Sequence, residues 1–505
     1  MLNCRSKENP TSPSDRLAPH LGGDVVVAEP LCRRVLAVSD NSAWLSPVTL
    51  SVVVVRSVRK RPKEVKNVSE FSFARSIPVR HEVDVVVAGG GPAGVAAALA
   101  AARQGCSVFL FDSQNCFGGM GTAGLVPAFM QFSDGVNFLA AGIGEEIHTK
   151  LRDAGGTGPD NAMSIRVEVF KRLYDQLITA EENITVSLQT QMIAVEQQDA
   201  NVSHLILAAK SGIYAVTGTV FVDGTGDGDL AAWAGAPFEL GDEAGNMMPG
   251  TVGSLWGGID WSRVKKPDSR RFDDAFAENV FSVQDRHLPG MWRVGHKLGG
   301  GNIGHTFGVD STDERSVTRA LIQGRRDLTE YERYYKEYLD GYEDMELVCT
   351  GSVLGIRESR RIMGDYVLCL DDFNNRATFE DEIGRYSYPV DIHASKPSEE
   401  NYAKFLDEFK NLRYGRGENY GIPYRSMLPR ELKNVLVAGR CISSDRYMQG
   451  SVRVMPGCYI TGQAAGVAAA LALAAAGDVR QIAVTELQKR LKAMGAFLPN
   501  YSAES

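Results

Sequence analysis

Three glycines and one acid stand at a spacing that can hold a dinucleotide: Gly89, Gly91 and Gly94 in G-x-G-x-x-G order, then Asp112. A pyrophosphate needs backbone N–H groups at a helix N-terminus and residues without a Cβ beside it. A carboxylate just beyond the following strand can take the ribose hydroxyls. Pro92 and Ala93 complete this turn, GGGPAG. A second glycine-rich stretch, NCFGGMGTAGLVP over Asn115–Pro127, carries Gly118, Gly119, Met120 and Thr122 and suits a loop passing close to a phosphate or a flavin ring. A third, Asp223, Gly224, Thr225 and Gly226, ends an apolar run and enters a helix, again bringing N–H groups to a helix N-terminus.

Other residues could act on a substrate. Arg357, Arg360 and Arg361 in GIRESRR suit a carboxylate or another anionic oxygen through forked hydrogen bonds. Glu358 offers the opposite use, an ion-pair network of purely structural value. Arg453, in SVRVMPG, precedes a second small-residue helix. His305 and His287 are candidates for general acid or base, although a histidine more commonly serves as an ordinary polar residue.

The elements that must position these residues follow from periodicity. Val83, Val85, Val86 and Val87 form an apolar strand, Ala93 to Arg103 an alanine-rich helix ended by Gly105, and Val108 to Phe111 a second strand. Arg166 to Ala180 reads as an amphipathic helix; Ile184–Val195, Val202–Ala209 and Tyr214–Val222 read as strands. A long charged helix spans Asp313 to Leu339, capped by Thr312 or Asp313, its charge reading as a solvated face. Asn434 to Ala438 is a strand leading to Gly439 and Arg440, and Pro456–Gly477 a glycine turn and helix. Thr485 with Gln488 predicts a capping box for the last helix. The expectation is an α/β protein: a Rossmann-like nucleotide-binding domain over 80–254 and 426–500, with an inserted α+β substrate domain over 255–425.

The chain has 505 residues and a net charge of −8, which gives no reason to expect nucleic acid or an anionic membrane as partner. Its first 80 residues hold 13 Lys and Arg against 7 Asp and Glu, and residues 1–79 read as a poorly ordered extension. The eight cysteines are scattered without metal spacing, so no metal is expected and a reducing, cytoplasmic setting is. The alanine-rich segments near 93–103 and 464–476 read as too short to span a bilayer. No second dinucleotide fingerprint, a G-x-G-x-x-G turn between a strand and a helix, is read, and no paired cysteine stands beside the first, which counts against a disulfide reductase and against a built-in nicotinamide domain.

GGGPAG, FDSQNCFGGMGTAGLVPAF, VDGTGDGDLAAWAGAPFE, GIRESRRIMGDYVL, NVLVAGRCISSDR and SVRVMPGCYITGQAAG together resemble the FAD-dependent oxidoreductase family of the glutathione-reductase-like flavoproteins. The layout is similar to that of fumarate reductase and succinate dehydrogenase flavoproteins, over roughly residues 65–495. The family's usual acid after the second strand is glutamate, where this chain has Asp112. The resemblance implies one FAD, held non-covalently. Gly439 and Arg440 would then lie at the ribityl–phosphate region, and a helix beginning near Thr461, Gly462 and Gln463 would turn its positive end to the flavin. It implies hydride transfer between flavin N5 and a small oxygenated substrate, at a CH–OH or CH–CH bond, with an electron partner and an oligomeric state it does not name. The alternatives are a non-catalytic FAD-binding module or an electron-transfer subunit of a larger complex.

Overall fold

A computed structural model describes residues 71–501 except 161, 266–268 and 288. The expected N-terminal extension therefore lies almost wholly outside the described residues. The described residues from Ala74 onward cluster as one unit.

The first strand, β1 (Val79–Ala88), is longer than its valine run because residues before Val83 also pair. It is followed by α1 (Pro92–Arg103), β2 (Val108–Phe111), β3 (Ile184–Ser187), β4 (Gln191–Gln198), β5 (Asn201–Ala209) and β6 (Gly212–Asp223). The single strand expected over Ile184–Val195 is two, broken where Gln189 takes a positive φ of 51°. β3, β2, β1 and β6 are parallel neighbours in that order. The first half of β6 pairs antiparallel with β5, and its last residues pair in parallel with the strand Val435–Val437. A strand from the far end of the chain thus completes the sheet begun at β1.

Register decides where chemistry can happen. Ala88 is opposite both Phe111 and Asp223, and Asp223 is opposite Val437. The loops after β1, β2, β6 and Val437 therefore leave the sheet side by side at its carboxyl edge, where open α/β sheets bind ligands. β1 is buried on both faces: Val85 and Val87 pack in one core, Val86 and Ala88 in the other.

α1 packs along the helix Met455–Ala472, the two joined through small residues. A Cβ on Gly462 would lie 2.2 Å from the Ala93 carbonyl oxygen, and one on Gly466 the same distance from that of Ala97. The helix begins at Met455, with Val454 as N-cap and Pro456 in its first turn, so the expected start near Thr461 is corrected. Proline needs no N–H partner at that position, so the Pro-Gly pair opens the helix instead of making a turn before it. Its continuation to Ala475 is also long and apolar enough to cross a membrane, against the length argument from sequence, but it is mostly buried inside the protein. The last helix, Val484–Ala493, has Ala483 as N-cap with no side-chain cap. Gln488 donates instead to the Glu380 and Glu382 carbonyls, so the predicted capping box is absent.

A second core sits under a four-stranded antiparallel sheet, in the order Glu346–Thr350, Ser254–Gly257, Gly299–Ile303, Pro289–Arg293. The helix Glu314–Tyr338, capped by the Asp313 carboxylate on the Arg315 N–H, packs here. It is not solvated all round: Leu328, Tyr331, Tyr334, Tyr335 and Tyr338 make a buried stripe. Leu368, Phe373, Ile383, Tyr386, Val390 and, from Tyr420 to Leu428, several further residues share instead the core of α1 and the Met455–Ala472 helix.

Candidate active site

One large cavity of about 910 Å³ opens along the carboxyl edge of the sheet and continues to the second core. Its size is near the top of the range for ligand pockets. At one end lie Gly89, Gly91, Pro92, Ala93, Asp112, Gly119 and Met120. Gly224, Thr225, Gly226, Gly439 and Arg440 line its middle wall. At the other end stand Arg357, Tyr388, Asp391, His393, His287 and Arg453.

The first end fits a dinucleotide by what its glycines would otherwise touch. Gly94 is bare because a Cβ there would meet the Gly89 carbonyl oxygen at 1.8 Å. Gly91 is different: its φ of −70° suits any residue, and a Cβ would have nothing nearer than the Gly224 oxygen at 3.9 Å. Its bareness serves the cavity, not the packing. The Asp112 carboxylate accepts from the Gly90 N–H at 2.6 Å and the Gln114 N–H at 2.7 Å, fixing it at the cavity edge. Burial raises its pKa while those two N–H groups lower it.

Several residues expected to touch a cofactor stand behind the wall. The Asp223 carboxylate is fully buried and satisfied by the Thr225 N–H and hydroxyl and the Ala231 N–H. A carboxylate at the end of a buried strand has to find such donors, and here they leave nothing to offer a ligand. Thr122 donates to the Phe117 carbonyl at 2.6 Å, shaping its loop. Gly118 is needed for its φ of 102° and because a Cβ would strike Tyr174. Gly462 is the close contact with Ala93, and the Gln463 amide oxygen accepts from the Ile143 N–H at 2.7 Å. These five residues and Gly94 support the wall and are not part of it. The positive helix end that does face the cavity is Val454–Met455.

Among the arginines, Arg360 pairs with Asp229 at 2.6 Å and Arg361 with Glu358 at 2.8 Å, so the structural use holds for these two. Arg357 is the exception. It is buried, and donates to the Pro249 carbonyl, the Thr251 hydroxyl and the Asn302 amide oxygen, all uncharged. Burial, then Arg453, lowers its pKa to about 10, so it stays cationic at neutral pH. Arg453 donates from Nη2 to the Asp391 backbone oxygen and Oδ2, each at 3.1 Å, while its buried Nε has no partner. Arg440 is tied to the Gly226 carbonyl, to Asp227 at 2.7 Å and to the Ile356 carbonyl.

His305 does not reach the main cavity, which corrects its expected role. It is buried between Asp285 and His393, and His393 forms the wall. His393 Nε2 lies 3.2 Å from Asp391 Oδ1, and the His287 ring stacks on His393 at 4.2 Å. Burial works against the Asp391 carboxylate, but His393 and the two arginines hold it well below the ordinary range. Burial lowers His287 to about 3, with His305 adding to the effect. Asp391 and His393 escaped the sequence reading. Their spacing in Val390–His393, an acid and an imidazole two residues apart, was the only signal, and it is a weak one. Cys458 lines the cavity too, but burial pushes its thiol up to about 12, so it is no nucleophile at neutral pH. No cluster of metal-ligating side chains occurs among the described residues.

A model of the family described as FAD dependent oxidoreductase matches residues 84–491. No curated protein matches the chain. Among solved structures, it is similar to a geranylgeranyl bacteriochlorophyll reductase-like protein from Thermoplasma acidophilum, at 12% identity and a TM-score of 0.45, covering 82% of this chain and 84% of that one. GidA from Aquifex aeolicus is similar at 13% identity and a TM-score of 0.43, over 82% and 67% of the two chains. The p-nitrophenol 4-monooxygenase PnpA from Pseudomonas putida follows at 13% and 0.39, over 82% and 84%.

Proposed function

The chain belongs to the FAD dependent oxidoreductase family, and from that premise we propose that it transfers a hydride between a small anionic, oxygenated substrate and its FAD. FAD is its cofactor, and the protein is an oxidoreductase. When bound, FAD supplies a two-electron acceptor whose N5 takes or gives the hydride. The residues proposed to hold it are Gly89, Gly91, Pro92, Ala93, Asp112, Gly119, Met120, Gly224, Thr225, Gly226, Gly439 and Arg440. In this reading residues 80–254 and 426–500 form the FAD-binding body and residues 255–425 the opposite wall, of which Leu368, Phe373, Ile383, Tyr386, Val390, Tyr420, Ile422 and Tyr424 also pack in the body's core. The free cysteines fit a reducing, cytoplasmic setting.

The observation that carries the reading is the buried Arg357 cation at the end of the cavity, bonded only to neutral acceptors. A guanidinium so placed is stabilised by an anionic ligand, which binds it through a charge-assisted, forked contact. Arg453 lies beside it with an unused buried Nε, and its Nη2 is already shared with Asp391. The pair suits a substrate bearing one carboxylate. His393 faces the same space and can take the proton that must leave when a CH–OH carbon is oxidised.

Anaerobic mixing of the FAD-loaded protein with small hydroxy acids and sugars tests this. At least one acid is expected to bleach the oxidised flavin band. Arg453→Ala should slow that bleaching about tenfold or more, the loss of roughly 1.4 kcal/mol of transition-state binding. Bleaching by uncharged sugars alone, or an unchanged rate in Arg453→Ala with normal FAD content, contradicts the anionic substrate.

A further inference from the structure

The helix Glu399–Asn411 has an apolar face but no buried residue. Tyr402, Phe405 and Phe409 stand three and four residues apart, on one side of the helix, and line the cavity together with Leu406. Such a stripe ordinarily seals a helix onto a core. Here Tyr402, Phe405 and Phe409 are only half-buried, and Leu406 is 46% exposed. Polar contacts fasten the start of the helix instead: the Ser398 hydroxyl accepts from the Asn401 N–H, and Glu399 pairs with Arg286 at 2.5 Å. Val317 and Leu321, one turn apart on the helix Glu314–Tyr338, line the same cavity and are half-buried too. The cavity therefore has an apolar, largely aromatic shelf in its substrate wall.

This shelf borders the cationic end. The Phe405 ring centre is 3.8 Å from that of His287 and 5.8 Å from that of His393. His393 in turn lies 3.2 Å from the Asp391 carboxylate, which accepts from Arg453 at 3.1 Å. An apolar surface thus passes into the arginine pair within a few side chains. The ring neighbours of Phe405 are His287, His393 and Phe409, all in the substrate wall and not in the loops proposed for FAD. Burial lowers His287 to about 3, so at neutral pH it meets the shelf as an uncharged ring.

We propose that the substrate is a carboxylic acid bearing an aromatic ring, its carboxylate at Arg357 and Arg453 and its ring on the shelf of Tyr402, Phe405, Leu406 and Phe409. This names the substrate class of the anionic site and rests on that reading. A ring laid on the shelf takes apolar surface of both partners out of water. It also meets the side-chain rings in the offset or edge-on arrangements that aromatic pairs favour. A short polar acid reaches the arginines but leaves the shelf wet. Apolar walls with a few placed charges are the usual makeup of a site that selects a small molecule.

Glycolate and mandelate share the 2-hydroxy acid group and differ by a phenyl ring, so their dissociation constants isolate the shelf. Each is titrated into full-length, FAD-loaded protein and followed by the flavin absorption band, with benzyl alcohol as the ring without a carboxylate. Mandelate is expected to bind about tenfold or more tighter than glycolate, the gain from burying a phenyl ring. Benzyl alcohol should bind more weakly than mandelate. Phe405→Ala should cut the mandelate-to-glycolate ratio about fivefold or more. Phe409→Ala should cut it in the same direction and serves as the second variant if the first does not fold. Equal affinity for the two acids overturns the aromatic ring alone, as does an unchanged ratio in the folded variants. Loss of FAD from a folded Phe405→Ala would give the shelf to the flavin and also overturn the proposal. Silence with both acids would overturn the anionic site itself, and the proposal with it.

Discussion

Gly91 and Gly94 separate what a glycine does for a ligand from what it does for the fold. A side chain on Gly94 would run into the Gly89 carbonyl, whereas one on Gly91 would enter open cavity. Gly91→Val is therefore expected to leave the protein folded, with an unchanged far-ultraviolet circular dichroism spectrum, and colourless. Gly94→Val is expected to lower stability or solubility outright. A yellow, fully loaded Gly91→Val would remove the turn from the FAD site. At this scale the placement of Gly89, Gly91 and Asp112 at the cavity was legible because it depends on local spacing. Asp223, Thr122 and Gln463 were misread because their partners, Ala231, Phe117 and Ile143, decide whether a polar group faces a ligand or the protein. His393 was missed for the same reason: its partner His305 lies 88 residues away in sequence.

The helix Met455–Ala472 carries the largest correction at the scale of elements. Its alanines and glycines were legible as a helix, but its first turn was hidden by Pro456, which punctuates a chain in two opposite ways. The true start turns its positive end and Arg453 toward the cavity, and leaves Gly462 and Gly466 to meet α1. Gly466→Ala would raise local helix propensity by about 1 kcal/mol. Its methyl would nevertheless stand 2.2 Å from the Ala97 oxygen and 2.6 Å from the Ala100 Cβ. Overpacking wins, and a net loss of about 1–3 kcal/mol is expected in urea denaturation. A gain in stability would show that the two helices can move apart at little cost. The helix Glu314–Tyr338 teaches the converse: its charge count hid a tyrosine stripe at helical spacing, readable only when position is weighed above composition.

Across the whole molecule, the parallel sheet was legible from its strands, but its last partner, Val435–Val437, came from a register that only folding sets. That register brings distant loops to one edge. In the rest of the fold His305 and His393 are buried and His287 is half-buried. His287, His305 and His393 all bind protons less readily in the folded protein than their ordinary value of 6.5. The unfolded chain therefore takes up protons first as pH falls below about 6.5, and the folded state loses stability. For His287 the window runs from 6.5 down to about 3. Asp229 opposes this, since burial and Asp227 raise it to about 6. Between about pH 7 and pH 5, His287→Phe should lose less stability than the wild type by up to about 2 kcal/mol. Equal losses would mean that His287 is protonated in the folded protein.

If the cavity ends in a receptor for one small anion at Arg357, as proposed, the flavin band should report its occupancy. Titrating the FAD-loaded protein with glycolate and acetate, and with ethylene glycol as the uncharged control, reads this from the flavin absorption band. A saturable shift is expected with both carboxylates, none with ethylene glycol, and none with any of the three in Arg357→Met at unchanged FAD content. A carboxylate shift that survives in Arg357→Met, or a wild-type flavin indifferent to every carboxylate, would contradict it.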